Sequence, residues 1–320
     1  DNYKLQKQFL MTSPATPASP GKLPLQILGV TLASFALVWM LLHSAVHATH
    51  LNMGGRGFGF SLLLLVFFGP RLWPCIAIGT AAAYFGSGQD PLVALTTGLS
   101  NGLATGMGVA LMNARGFDRH LTHLKDYFTL LIYGTVCAPL LSAAIGVFFP
   151  LLLGAAPPAS LVHAYADWWM GDSLGLLNAS PTILIWLSPR PSIPPAKRWL
   201  QFAALLFVTG LVGAVIFGDW LHDLFGDLVH GFVLMGIIVW AAIAFGRHVT
   251  SLLVTLFFSL ALASIRFNVG MFAPDKHYAS LPNLWMFIFS LSVVGMTLSI
   301  VLYQLRHAKA ELRENEANFR

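Results

Sequence analysis

Ten apolar runs follow one another through most of this chain, at residues 24 to 45, 58 to 69, 72 to 86, 91 to 113, 127 to 153, 164 to 187, 199 to 218, 229 to 245, 249 to 266 and 284 to 304. Within a bilayer every backbone N–H and C=O must find its partner inside the protein, so runs of this kind have to be helices. Hydrophobic residues make up 56% of the chain and charged residues only 10%, a balance too apolar for a soluble globular domain. The expected fold class is all-α, a polytopic transmembrane helical bundle of 8 to 10 helices. The range is open because the pairs meeting at Gly69-Pro70-Arg71 and Gly246-Arg247-His248 contain members too short to span comfortably. Such members are expected to be tilted, re-entrant or short helices.

Alternation from an inside N-terminus can be tested against the basic residues. Lys4, Lys7, Lys22, Arg71, Arg115, Arg119, Lys125, Arg190, Lys197, Arg198, Arg247, Arg306, Lys309, Arg313 and Arg320 then fall inside, and only Arg56, Arg266 and Lys276 outside. Fifteen against three predicts both termini in the cytoplasm. A pI near 9.4 would suggest nucleic acid in a soluble protein. Here the charge lies in membrane loops, so no nucleic-acid partner is implied and the bilayer is the partner.

The expected division is a cytoplasmic tail over 1–23, an integral membrane domain over 24–304 and a charged signalling helix over 305–320. The chain opens with Asp1, and Met11 begins a Ser/Thr/Pro-rich run. Val46-His47-Ala48 loosely fits a signal-peptidase site, but the apolar run before it exceeds a signal core. Cys75 and Cys137 belong to no CxxC motif and read as packing residues. Pro189, Pro191, Pro194 and Pro195 make a stiff linker after the sixth run. In the fourth, Gly98, Gly102 and Gly106 recur at four-residue spacing beside Asn101, which predicts close helix packing.

The stretch from Asp167 to Pro181, DWWMGDSLGLLNASP, places an acid inside an apolar segment. Charge at bilayer depth costs roughly 2.5 to 3.5 kcal/mol per residue, so Asp172 calls for a reason. Counted from Ala164 it lies roughly 12 Å into the segment. Asp172, Gly175, Ala179 and Thr182 share one small or polar face, and Gly171 with Gly175 would let another backbone approach. A packing contact and a ligand pocket or relay are both open readings. The candidates for the second are Asp172, Trp168, Trp169, Asp167 and Asn101, with Arg56 and Arg266 as possible partners of the acid.

His43, His47 and His50 fall on one helix face, and Asp219, His222, Asp223, Asp227 and His230 repeat the pattern later. Interfacial histidines are the ordinary explanation. Imidazole and carboxylate at this spacing also suit haem or a divalent transition metal, with His43, His47, His50, His222, Asp223 and His230 as the candidate ligands. No signature for nucleophilic catalysis or nucleotide phosphates is present, and NMGGRGFGF lacks a following GK[ST]. No catalytic residue is therefore assigned.

After the tenth run the chain reads QLRHAKAELRENEANFR, with Leu298, Leu302, Leu305, Lys309, Leu312, Glu316 and Phe319 at alternating four and three spacing. Leu302, Leu305 and Leu312 are the expected seam of a parallel two-helix stalk, hence a homodimer. Such an end reads as leading into a further domain.

Gly69-Pro70-Arg71-Leu72-Trp73-Pro74 with Gly79, Gly98 to Gly106 with Asn101, Ser142-Ala143-x-x-Gly146, Phe245-Gly246-Arg247 and above all Trp168-Trp169-Met170-Gly171-Asp172 with Gly175 and Pro181 resemble one known family over residues 24 to 306. It is the membrane-associated sensor domain of the first type, MASE, of bacterial signalling proteins. The chain departs from the pattern at Leu51 to Gly57, where relatives show a Trp-Pro-Pro-x-Gly-like element. Residues Glu311 to Arg320 are similar to a helix leading into a PAS domain. The resemblance implies an inner-membrane sensory input for an unknown small ligand or membrane-protein partner, ahead of a cyclic-di-GMP output such as a GGDEF diguanylate cyclase or an EAL phosphodiesterase. A histidine-kinase input, a transporter component and a haem or metal-binding electron-transfer protein are the alternatives.

Overall fold

The computed structural model describes residues 23–43, 57–154, 158–188, 199–218, 232–273 and 281–318, and among them all regular structure is helical. Each apolar run becomes a helix: α1 (Leu23–His43), α2 (Phe58–Phe68), α3 (Trp73–Gly86), α4 (Pro91–Ala114), α5 (Leu124–Leu152), α6 (Leu161–Trp186), α7 (Trp199–Gly218), α8 (Phe232–Ala244), α9 (Arg247–Phe267) and α10 (Leu281–Asn318). The expected all-α bundle is thus the observed one. By length and composition α1, α5, α7, α9 and α10 are apolar enough to cross a membrane, which implies a lipid environment. Two further helices, α4 with 24 residues and α6 with 26, are long enough but carry the polar residues of the bundle interior.

The two doubtful pairs are helices broken at glycine. The 11-residue α2 reaches only about 16 Å, roughly half the hydrocarbon thickness. Gly69 then takes φ 101° and a 3₁₀ turn over Pro70–Leu72 leads into α3. A side chain at that φ would be strained, and Pro70 has no N–H to extend a ladder. Gly246, at φ 77°, makes the same break between α8 and α9.

Small residues set the closest approaches. A Cβ at Gly98 would lie 2.5 Å from the Ala77 carbonyl, one at Gly102 2.7 Å from the Trp73 carbonyl and one at Gly106 2.7 Å from the Trp73 side chain. The four-residue glycine spacing of α4 is therefore the face that receives α3, as expected. Likewise, Gly79 of α3 lies against the Thr31 carbonyl of α1.

Within α5, Leu130–Cys137 is π-helical. Pro139 follows, and it has no N–H for the carbonyl of Thr135 four residues back. The Ser173 hydroxyl of α6 donates to that carbonyl at 2.8 Å. A defect of one helix thereby becomes a tie to the next.

The buried side chains form two cores. One gathers Val30, Phe58, Leu62, Ile76, Ala104 and Met112 from α1 to α4, the other Leu205, Ile216, Leu234, Ile238, Phe257 and Ala261 from α7 to α9. Both α6 and α10 contribute to each: Leu176 and Leu184 to the first and Leu174 and Leu177 to the second, Met296 and Ile300 to the first and Leu284 and Ile288 to the second. These two helices are the shared wall of the bundle.

Candidate functional site

Helical spacing sends the side chains of the Trp-Trp-Met-Gly-Asp block to different neighbours. The ring of Trp168 covers Gly146 of α5, where a Cβ would come within 2.5 Å, and its Nε1 donates to Ser142 Oγ at 3.2 Å. Asp172, one turn later and 2% exposed, lies beside the same Ser142 and Trp168. Its second oxygen, Oδ2, is buried without a partner among the described residues. Trp169 turns the other way and packs on Trp285 of α10, ring centres 5.2 Å apart.

The small and polar face expected on α6 is real but divided among three neighbours. Asp172 meets α5. At Gly175, the carbonyl lies 2.5 Å from the position of a Cβ on Gly59 of α2. Thr182 shares a 2.8 Å hydrogen bond with Thr255 of α9 and donates to the Ser251 carbonyl at 3.1 Å.

The other candidates lie elsewhere. Asn101 donates to Thr80 Oγ1 at 3.2 Å, and Thr80 lies 3.5 Å from Ser34 Oγ, so these groups make a buried polar thread across α4, α3 and α1. Its Oδ1 is buried and unpaired among the described residues. No hydrogen bond joins Asn101 to Asp172. Arg266 is exposed at the end of α9 beside the Phe267 ring, whereas Asp172 lies beside Ser142 and Trp168. A buried acid next to a hydroxyl and an indole N–H has neutral donors in place of the cation that its charge suggested. Asp167 is partly exposed, and Arg56 lies outside the described residues.

Of the candidate metal or haem ligands, His47, His50, His222, Asp223 and His230 lie outside the described residues. His43 donates from Nδ1 to the Trp39 carbonyl at 2.9 Å and stacks on the Trp39 ring. Among the described residues no three His, Cys, Asp or Glu side chains are grouped to hold a metal.

These placements put the Trp-Trp-Met-Gly-Asp block, the glycine stripe of α4 and the Gly-Pro-Arg turn in one helical bundle. A family model, MASE1, matches residues 24–306. The chain belongs to the MASE1 family. MASE1 is a membrane sensory input domain of signalling proteins. No curated protein and no solved structure matches the chain.

At the other end of α6 and α10, the MASE1 bundle carries a junction that sequence reasoning missed. Arg247, 3% exposed at the start of α9, donates from Nη1 to the carbonyls of His120 at 2.9 Å and Leu121 at 3.2 Å. Its Cζ lies 4.2 Å from the ring centre of Tyr303 on α10. Leu121 is fully buried at φ 50°, a conformation costing a non-glycine residue about 1 to 3 kcal/mol, so its surroundings must impose it. Gln304 Nε2 donates to His123 Nδ1 at 2.9 Å, Arg306 donates to the Ile243 carbonyl of α8, and Tyr127 shares a 3.1 Å hydrogen bond with Ser292 of α10. The loop between α4 and α5, the α8–α9 break and α10 therefore meet where α10 leaves the bundle. The only sequence signal was the Phe245-Gly246-Arg247 segment. Its arginine served as a topology marker, because its partners are more than fifty residues away in either direction.

Proposed function

We propose that this MASE1 chain detects a periplasmic or intramembrane ligand and passes the result through α10 to a cytoplasmic output, cyclic-di-GMP synthesis or degradation. The observation that carries the reading is the continuity of α10. This single 38-residue helix, about 57 Å long, packs in both cores and then runs on with every described residue from Leu305 to Asn318 exposed. A ligand moves such a helix only by binding two packings with different affinity. Asp172, Trp168 and Trp169 belong to the helix that touches α10 in the outer half, which makes them the proposed input residues.

In this reading residues 24–304 are the sensor, 305–320 the signalling helix, and the protein sits in the bacterial inner membrane with both ends in the cytoplasm. Arg119, Arg247 and Arg306 gather at the junction end of the bundle, which supports that orientation. Pairing of two copies through Leu302, Leu305 and Leu312 belongs to the same proposal; Leu305 is 61% and Leu312 59% exposed.

The test is Asp172→Asn in a full-length signalling protein containing this chain, with cellular cyclic-di-GMP as the readout. Retained folding with a changed cyclic-di-GMP level is expected. A level identical to wild type across growth conditions would return Asp172 to packing.

A further inference from the structure

Two indole N–H groups are enclosed between the helices that carry the proposed signal, and neither has an acceptor among the described residues. They are Nε1 of Trp169 on α6 and Nε1 of Trp285 on α10. Their ring centres lie 5.2 Å apart, and Phe289, one turn along α10, stacks on Trp285 at 4.7 Å and 14°. Indoles in membrane proteins ordinarily place the N–H where water or headgroups accept from it. Trp168, the neighbour in sequence, has its acceptor in Ser142. An enclosed N–H without one forfeits its hydration and receives nothing in return.

The surroundings narrow what could satisfy these donors. The surroundings are apolar: Phe289 stacks on Trp285, and both indoles pack against a hydrophobic core that includes Leu284 and Ile288. An anionic ligand would lose its hydration in such a low-dielectric interior, which disfavours phosphate and carboxylate. A neutral oxygen acceptor on an apolar body fits.

We infer that Trp169 and Trp285 are the paired donors of a site for a neutral, membrane-soluble carbonyl compound, either a quinone-type ring or the ester of an acyl lipid. The inference rests on the sensory reading above and names the ligand class for its α6–α10 contact. With the rings packed together both donors are covered, so the ligand enters by parting them. Ring packing favours the closed arrangement and two new hydrogen bonds favour the parted one. The ligand therefore distinguishes two positions of α10 against α6, which is what a signal through α10 requires.

The experiment uses the full chain, purified and delipidated in dodecyl maltoside, which has no carbonyl group. Decylubiquinone and dioleoyl phosphatidylcholine are titrated separately, with heat of binding as the readout. One probe should bind saturably at one per chain. Trp169→Phe and Trp285→Phe, which keep a ring and remove the N–H, should each weaken it about five- to tenfold, the net worth of one hydrogen bond. Trp186→Phe, whose N–H donates to the His248 carbonyl at the far end of α6, should leave binding unchanged. Whichever probe shows this dependence identifies the source of the carbonyl. Should the phenylalanine variants fail to fold, the indole N–H resonances of the wild-type chain answer the same question, two of the nine tryptophans moving downfield on saturation. No saturable binding of either probe, wild-type affinity in both phenylalanine variants, or nine unmoved resonances overturns the site. No output is read, so a silent output counts against the sensory reading and a failed titration against this site.

Discussion

Arg247 holds the ring of Tyr303 from one side, Cζ 4.2 Å from the ring centre, while its Nη1 donates to the His120 and Leu121 carbonyls. One guanidinium thus joins α9, the loop after α4 and the exit of α10. A planar fork can stack and donate at once, and a lysine ammonium cannot reproduce that geometry. The position of α10 at its exit therefore depends on this side chain.

Arg247→Lys should keep the charge and lower stability by about 1 to 2 kcal/mol. Paired with Tyr303→Leu in a double-mutant cycle on thermal unfolding in detergent, it should show a coupling of about 1 kcal/mol. Simple additivity of the two substitutions would mean that the stacked pair contributes nothing of its own.

Gly59 crosses the backbone of α6 so closely that a Cβ would lie 2.5 Å from the Gly175 carbonyl, whereas a Cβ at Gly29 would meet nothing within 4 Å. Backbone cannot retreat as a side-chain tip can. Gly59→Val should abolish monodisperse protein on size exclusion, and Gly29→Ala should elute as wild type. Normal yield of Gly59→Val would contradict the close crossing of α2 and α6.

The Ser173 hydroxyl donates to the Thr135 carbonyl, to which Pro139 has no N–H to offer. Ser173→Ala should cost about 0.6 to 1.7 kcal/mol, the range for interhelical hydrogen bonds in membranes. In a Pro139→Ala background the carbonyl has its own helical N–H available, and the same serine change should cost less. Equal costs in the two backgrounds, measured by chemical unfolding in detergent, would separate the serine from the proline.

Beyond the bundle, Leu305 and Leu312 are 61% and 59% exposed, so they contribute nothing to the packing of one chain. Leu305→Asp with Leu312→Asp should leave the unfolding midpoint unchanged and convert a dimer to a monomer by light scattering. A wild-type mass for the double variant would place any dimer contact elsewhere.

Much of the helix inventory was legible in advance, down to the break at Gly69-Pro70 and the stripe of Gly98, Gly102 and Gly106. Less of the site could be read. Asp172 announces itself as an acid in an apolar run, yet nothing local points to Ser142 as its neighbour. An acid in low dielectric can be held by neutral donors close in space, and Ser142 lies thirty positions away. Tyr303 and Trp285 belong to no motif of the last apolar run.

The division has a physical cause. Lipid offers backbone groups no hydrogen bonds, so each apolar run must satisfy its own and become a helix; that is a local demand, and the sequence by itself determined it. Membership of MASE1 was legible for a related reason, since residues such as Trp73-Pro74 and Trp168 to Asp172 occur as compact blocks. Which helix meets which is a matter of shape between residues far apart in the chain. Only the tertiary structure could decide that Gly59 receives Gly175, that Trp169 rests on Trp285, and that Arg247 closes over Tyr303 at the exit of α10.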